Sequence, residues 1–451
     1  MLRITSIAAC AALLCAATST ALAQQAYPAT LAGHAVLPAL TLISAPKDAP
    51  VDLQTSGKFT TGSRVEKLAS VEGKSVGRPT GIALPFKGQP LQGHSGIKHM
   101  ADGSYWVLTD NGAGSKANSP DFMLHLSHYK VDFQSGKFNR LKTVFLQDPD
   151  KKLPFRITHE GSKQRYLTGA DLDPESFQFA GGALWIGEEF GPFLIKADLN
   201  GKVLAVFETQ VDGKLVRSPD APGMLVPGAP DAKPTAFEVK RSKGYEGMAA
   251  SKDGSKLYAL LEGALWNEEA KAYENLGGKQ YLRVLEFDVK SEQWTGRHWK
   301  YVMEANHHAI GDFNMIDGST GLIIERDNGE GTADKACPEG QKRSDCFHDL
   351  AKFKRIYKVE LSDSNVGGEI RKIGYIDLMN IQDPQRLAKK PLNNGVLTFP
   401  FFTIENVDVV DGTHIVVGND NNLPFSSSRE PNKADDNELV LLEVGELLRA
   451  K

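Results

Sequence analysis

The chain has 451 residues, and its 52 Lys and Arg stand against 56 Asp and Glu, a net charge of −4. That balance leaves no basic footprint for nucleic acid or for an anionic membrane surface. Beyond the first residues no stretch is long and apolar enough to span a bilayer, so no membrane insertion is expected.

The N-terminus carries Arg3, a mostly apolar run from Ile4 to Ala17, and Ala21-Leu22-Ala23 ahead of two glutamines. This is the layout of a cleavable export signal, residues 1–23, with the cut expected after Ala23 and a periplasmic or secreted location. A buried N-terminal helix fits less well, because small residues crowd the proposed cut and no apolar partner segment follows. Ile7-Ala8-Ala9-Cys10 matches a bacterial lipobox only superficially, since little apolar sequence precedes Cys10. Residues 24–60 read as an irregular arm. Cys10 and Cys15 leave with the signal, so Cys337 and Cys346 remain, and an oxidising compartment predicts a disulfide between them. Half of a zinc site is the alternative, weakened by the lack of a second cysteine pair.

Length alone allows about three domains, but repeats from residue 61 to 451 argue for one. Each copy has a short strand opening, a turn, a strand rich in aromatic and β-branched residues, and an acid. Ser95-Gly96-Ile97 leads through Asp102-Gly103 to Tyr105–Asp110, and Glu175-Ser176-Phe177 through Gly181-Gly182 to Leu184–Glu189. Glu246-Gly247-Met248 leads to Leu257–Glu262, Gly311-Asp312-Phe313 to Leu322–Asp327, and Glu405-Asn406-Val407 to Ile415–Asp420. Asp-Gly between such runs marks a hairpin. Two further strands follow each of the first four copies, and four strands make a propeller blade. The last copy has one successor, Glu438–Val444, so its outer strand is expected from near the N-terminus, at Arg64–Ala69. The fold class is therefore all-β, a single β-propeller of four-stranded blades with five clear repeats. A sixth, degenerate blade around Gly81 to Phe86 stays open. The extra length sits in polar or Pro/Gly-rich stretches at 147–168, 211–234 and 327–349, which read as long loops.

Aligning the copies brings an acid to the end of every second strand: Asp110, Glu189, Glu262, Asp327 and Asp420. One such acid reads as a solvated turn residue; five in one column point to a shared role. A second column, at the start of the first strands, holds Glu175, Glu246 and Glu405, with Ser95 and Gly311 in the other copies. Hairpin strands are antiparallel, so both columns fall at one edge, and in a propeller that edge is one mouth of the central channel. Carboxylates gathered there repel unless cations, protons or basic side chains intervene. Oxygen ligands with Asn111, Asn328, Asn406, Asn419 and Asn421 nearby suit a hard cation, calcium in an exported protein. No HExxH or similar spacing supports zinc. Basic residues precede the first strands at His94, Lys240, Arg241, Lys243, His307 and His308, and Arg326 adjoins Asp327. They suit a phosphate or other polyanion, or they only neutralise the carboxylates. Gly93-His94-Ser95-Gly96 lacks the spacing of a nucleophile elbow, and Walker and dinucleotide-binding signatures are absent.

Several segments resemble the phytase-like esterase family, the "esterase-like activity of phytase" proteins. They are Tyr105–Gly112, Asp171-Leu172-Asp173-Pro174-Glu175-Ser176, Trp185-Ile186-Gly187-Glu188-Glu189-Phe190-Gly191-Pro192 and Tyr245-Glu246-Gly247-Met248. The resemblance covers roughly Gly81 to Val444. It implies a propeller and a phosphoester-hydrolase role attributed to recurring Asp and Glu residues.

The residues thus point to an exported, calcium-dependent phosphoester hydrolase. Asp110, Glu189, Glu246, Glu262, Asp327 and Glu405 are the expected metal ligands, and the cation orients and acidifies a water. Arg241, His308 and Arg326 are expected to hold the phosphate, with Glu175 or Glu188 as acid or base. A sugar-lactone hydrolase is the rival enzyme, since a central cation equally polarises a lactone carbonyl. A calcium-stabilised binding propeller without turnover is the rival outside enzymology. The expected partner is a small anionic substrate, and a monomer is expected.

Overall fold

The Asp-Gly and Gly-Gly turns fold as hairpins, and each hairpin seeds one sheet of a ring. A computed structural model describes residues 24–222, 237–341 and 343–451; the proposed export signal and its cut lie outside the described residues. Blade 1 comprises His94–His99, Tyr105–Thr109, His125–Asp132 and Lys137–Phe145. Blade 2 comprises Pro174–Ala180, Ala183–Glu188, Phe193–Ala197 and Val203–Glu208. Blade 3 comprises Tyr245–Ala250, Lys256–Leu261, Lys279–Asp288 and Gln293–Val302. Blade 4 comprises Ala309–Met315, Thr320–Arg326, Lys354–Glu360 and Arg371–Asp377, and Gln25–Tyr27 adds in parallel to its outer edge.

Blade 5 closes the ring. Its inner strands are Ile404–Val409, His414–Asn419 and Asn437–Glu443, and its fourth is Thr30–Leu37, antiparallel with Thr30 opposite Glu443 and Leu37 opposite Asn437. The closing strand thus comes from the stretch expected to be irregular, and not from Arg64–Ala69. The reason is burial. Leu31, Ala35 and Leu37 face the core, and His34 lies 3.0 Å from the buried Glu438. Arg64 instead pairs with Asp52 and Glu66 at the surface.

Five blades suffice, because the inner strands pack neighbour to neighbour from blade 1 round to blade 5 and back. Asn406 Nδ2 donates to the His94 carbonyl at 2.6 Å across the last seam. No space remains for a sixth blade. Around Gly81 to Phe86 the chain forms a two-stranded hairpin, Val71–Ser75 with Arg78–Leu84, beside the ring.

Alternation along the strands fills each gap between blades with apolar side chains. Ile323 packs toward blade 3 with Phe313 and Trp299, whereas Ile324 packs toward blade 5 with Val407 and Leu442. Val416 and Val417 part in the same way, toward blades 1 and 4. In the loop after blade 4's second strand, Cys337 and Cys346 form a disulfide with Cα atoms 4.9 Å apart. Among the described residues no helix is long and apolar enough to cross a membrane.

Candidate functional site

The inner strands are interrupted at the residues that matter. In blade 2, Pro174 faces Glu188 and Ser176 faces Gly187, so Glu175 has no partner on the neighbouring strand. Glu246 is skipped in the same way between Tyr245 and Gly247, and Glu405 between Ile404 and Asn406. Blade 4 skips Gly311 and Asp312 together. Each is a β-bulge, which bends the strand and re-aims the extra side chain. Here that direction is the channel axis, where residues from separate blades meet.

The second column arrives beside them. Main-chain bonds fold each strand end over the residue ahead of the inner strand. The Asp110 amide donates to Gly93, Glu189 to Asp173 and Glu262 to Gly244, at 2.9, 2.9 and 2.7 Å. Carboxylate oxygens of Asp173, Glu175 and Glu189 consequently lie within 4.8 Å of one another. The same holds for Glu175, Glu246 and Glu405, and for Glu189, Glu246 and Glu262. Glu175, Glu189 and Glu246 each belong to two groups, so blades 2, 3 and 5 share one continuous acidic surface. Asp110 and Asp420 flank it near Glu405.

Burial and mutual repulsion hold these acids in the protonated direction. Burial, then Asp173, pushes Asp110 up to about 7. Burial pushes Asp173 up to about 6. Glu175, Glu189, Glu246 and Asp420 rise well above the usual carboxylate range, through burial first and neighbouring acids second. Two cations offset part of this charge: Lys243 Nζ lies 2.5 Å from Glu262, and Arg326 Nη2 lies 3.5 Å from Glu405.

Of the expected ligands, Glu189, Glu246, Glu262 and Glu405 come together, and Asp110 lies at their edge. Asp327 does not join them. Its amide donates to Phe353, and its carboxylate accepts from the amides of Lys352 and Phe353 and pairs with the buried Lys354 at 3.0 Å. In blade 4 the neighbouring Arg326 faces the acids instead. Arg241 pairs with Asp220 at the surface, away from the cluster. His308 is held by Glu325 at 2.9 Å, in a buried set completed by Tyr301 and Lys372. Both precede inner strands as expected, but each is captured by a local acid. Glu188 is buried and accepts the amides of Phe190, Gly191 and Phe193, so it shapes the loop beneath Glu189; burial pushes it up to about 7.

Asp173 was not among the expected ligands. Its signal is its place two residues before Glu175, with the rigid Pro174 between them. Lys116 is a further cation beside this region, with Nζ 4.7 Å from the centre of the Phe190 ring and 2.8 Å from the Asp220 carbonyl.

The residues fit a hard cation. Every member of the three groups is a carboxylate, and Glu189 Oε1 is buried without a hydrogen-bond partner. Oxygen-only coordination with several charged ligands suits hard cations, the class to which calcium belongs.

Comparison with known proteins finds remote likenesses and one family match. An uncharacterized secreted protein of Arthroderma benhamiae is 30% identical over 118 residues, a match covering 24% of this chain and 22% of that relative. The periplasmic gluconolactonase of Pseudomonas aeruginosa is 13% identical with a TM-score of 0.31, over 86% of this chain and 98% of that one. The PQQ-bound aldose sugar dehydrogenase of Streptomyces coelicolor is 9% identical with a TM-score of 0.28, over 79% and 95%. Likenesses this remote carry nothing about chemistry. The model of the phytase-like family described as "esterase-like activity of phytase" matches residues 89–423, most of the chain and every one of the clustered acids, and the protein belongs to that family.

Proposed function

We propose that the protein is an exported hydrolase that cleaves a phosphoester with calcium held at the channel mouth. Asp173, Glu175, Glu189, Glu246, Glu262 and Glu405 would be its ligands. The observation that carries this reading is the meeting of buried carboxylates from blades 2, 3 and 5 beside two cations. Calcium, when bound, supplies positive charge to phosphoryl oxygens and makes a nearby water more acidic. Arg326, beside Glu405, and Lys243, beside Glu262, would orient the anion. The water oxygen joins phosphorus as the bond to the alcohol breaks, and a proton passes to the departing oxygen. Asp110, at the edge of the acids and partly exposed, would exchange that proton with solvent. The family's esterase-like description, the disulfide and the secreted relative all support an exported hydrolase.

The test starts with the metal content of purified protein. Release of p-nitrophenol from bis(p-nitrophenyl) phosphate, phosphate release from phytate and opening of a sugar lactone are then measured with and without a chelator. Calcium-dependent cleavage of either phosphoester supports the proposal. Lactone opening alone turns the site into a lactonase. If all three fail while chelation lowers the melting temperature, the protein is a calcium-stabilised binding propeller.

A further inference from the structure

The far mouth of the channel holds a second cleft, of about 710 Å³, built from the opposite ends of the inner strands and their turns. A plug separates it from the acids. Gln178 Nε2 donates to the Met248 carbonyl at 2.7 Å and to Asn314 Oδ1 at 2.8 Å, and Asn314 Nδ2 donates to the Val407 carbonyl at 2.8 Å. These bonds tie blades 2, 3, 4 and 5 across the axis. Asp312 adds the amides of Val407 and Ile97, at 3.1 and 3.4 Å.

We infer that this cleft is a binding site for an organic anion with an apolar body. Its volume is that of a site for a small organic ligand. Phe179, Met100, Met315 and Ile316 line it while remaining partly exposed, and Leu199 is 53% exposed. Apolar side chains gathered in one concave place mark a ligand surface more than a core. On one wall, Trp106 stacks on His128 with ring centres 4.4 Å apart, and Lys142 Nζ stands 5.0 Å from the indole centre.

The acids and the lysines of this cleft are held differently: its two ionised carboxylates are bound within their own turns, and two of its lysines have no acidic partner among the described residues. Asp317 spends both oxygens on Ser319 and Thr320 in its own turn, and Asp253 is held by Ser251 and Ser255. Asp408 is matched by Lys98 at 3.2 Å. Among the described residues, Lys142 and Lys252 meet no carboxylate within 4.0 Å. An anionic head facing Lys142, with its body along Trp106 and Phe179, satisfies both sets of groups. A fatty acid and an aromatic acid share this chemistry.

Calorimetric titration of the whole protein with dodecanoate and with 2-naphthoate, alongside dodecanol, tests the site. At least one acid is expected to bind one to one, at least tenfold more tightly than dodecanol, and to change tryptophan fluorescence through Trp106. The acid that binds identifies the body as aliphatic or aromatic. The double variant Lys142→Glu/Lys252→Glu, both on exposed side chains, is expected to weaken binding at least tenfold. The wild-type affinity should also fall as salt rises. Glu246→Gln, at the other mouth, should leave it unchanged, which keeps this site separate from the proposed hydrolase. No saturable binding of either acid, or binding indifferent to charge reversal and salt, overturns the inference.

Discussion

The guanidinium of Arg326 lies 3.5 Å from the carboxylate of Glu405 on the next blade, at the outer limit of a hydrogen bond. So loose a pair leaves much of the arginine's donor capacity free for a ligand. Replacing Arg326→Met should raise KM for an aryl phosphodiester about tenfold or more, the loss of one charge-assisted hydrogen bond. Calcium content should stay unchanged. Steady-state kinetics with metal analysis on the same preparation checks both.

Glu246 belongs to two of the three acidic groups, so removing its charge weakens both at once. Glu246→Gln should lower calcium affinity by about tenfold or more, because affinity follows ligand charge. Calorimetric titration with calcium measures it, and an unchanged affinity would take Glu246 out of the ligand set.

Asp327 and Lys354 predict the opposite result. Lys354 is fully buried and rests on Asp327 at 3.0 Å, so Asp327→Asn leaves a buried cation short of its partner. A cost of about 3 kcal/mol in stability is expected, read by urea denaturation. Calcium binding should be intact.

Stability of the calcium-free protein should depend on pH. Asp110 and Asp173 are raised in the fold to about 7 and about 6, above their ordinary value near 4. The folded state therefore holds more protons than the unfolded chain between these values. The stability this gives is complete below about pH 4 and is lost as pH rises through about 7. Melting temperature in chelator should fall from pH 5 to pH 7.5 on account of these groups. Added calcium should reverse the loss at pH 7.5 by binding the ionised carboxylates.

The ring and its acidic mouth were legible because strand ends recur in one column, and a hairpin brings both its ends to one edge. Glu189, Glu246, Glu262 and Glu405 could be read from that periodicity alone. The bulges at Glu175, Glu246 and Glu405 could not, because a bulge is a mismatch of register between two strands that each look regular. Asp327 carries the same pattern as Glu262, but Lys354 and the amides of Lys352 and Phe353, all before or on the next strand, hold it away from the acids. Arg241 and His308 stand where the pattern put them, yet Asp220 and Glu325 bind them first. Thr30–Leu37 was overlooked because its reason for being a strand, the His34–Glu438 bond among others, lies 404 residues away.

That last pairing also governs how the molecule is made. Thr30–Leu37 is translated about 400 residues ahead of Asn437–Glu443, so the circle stays open until both have been made. Until the two meet, the outer edge of Asn437–Glu443 is a free strand on which the equivalent segment of another copy could settle. High chain concentration during refolding should therefore favour exchanged dimers, whereas a chain that finds its own beginning presents no such edge.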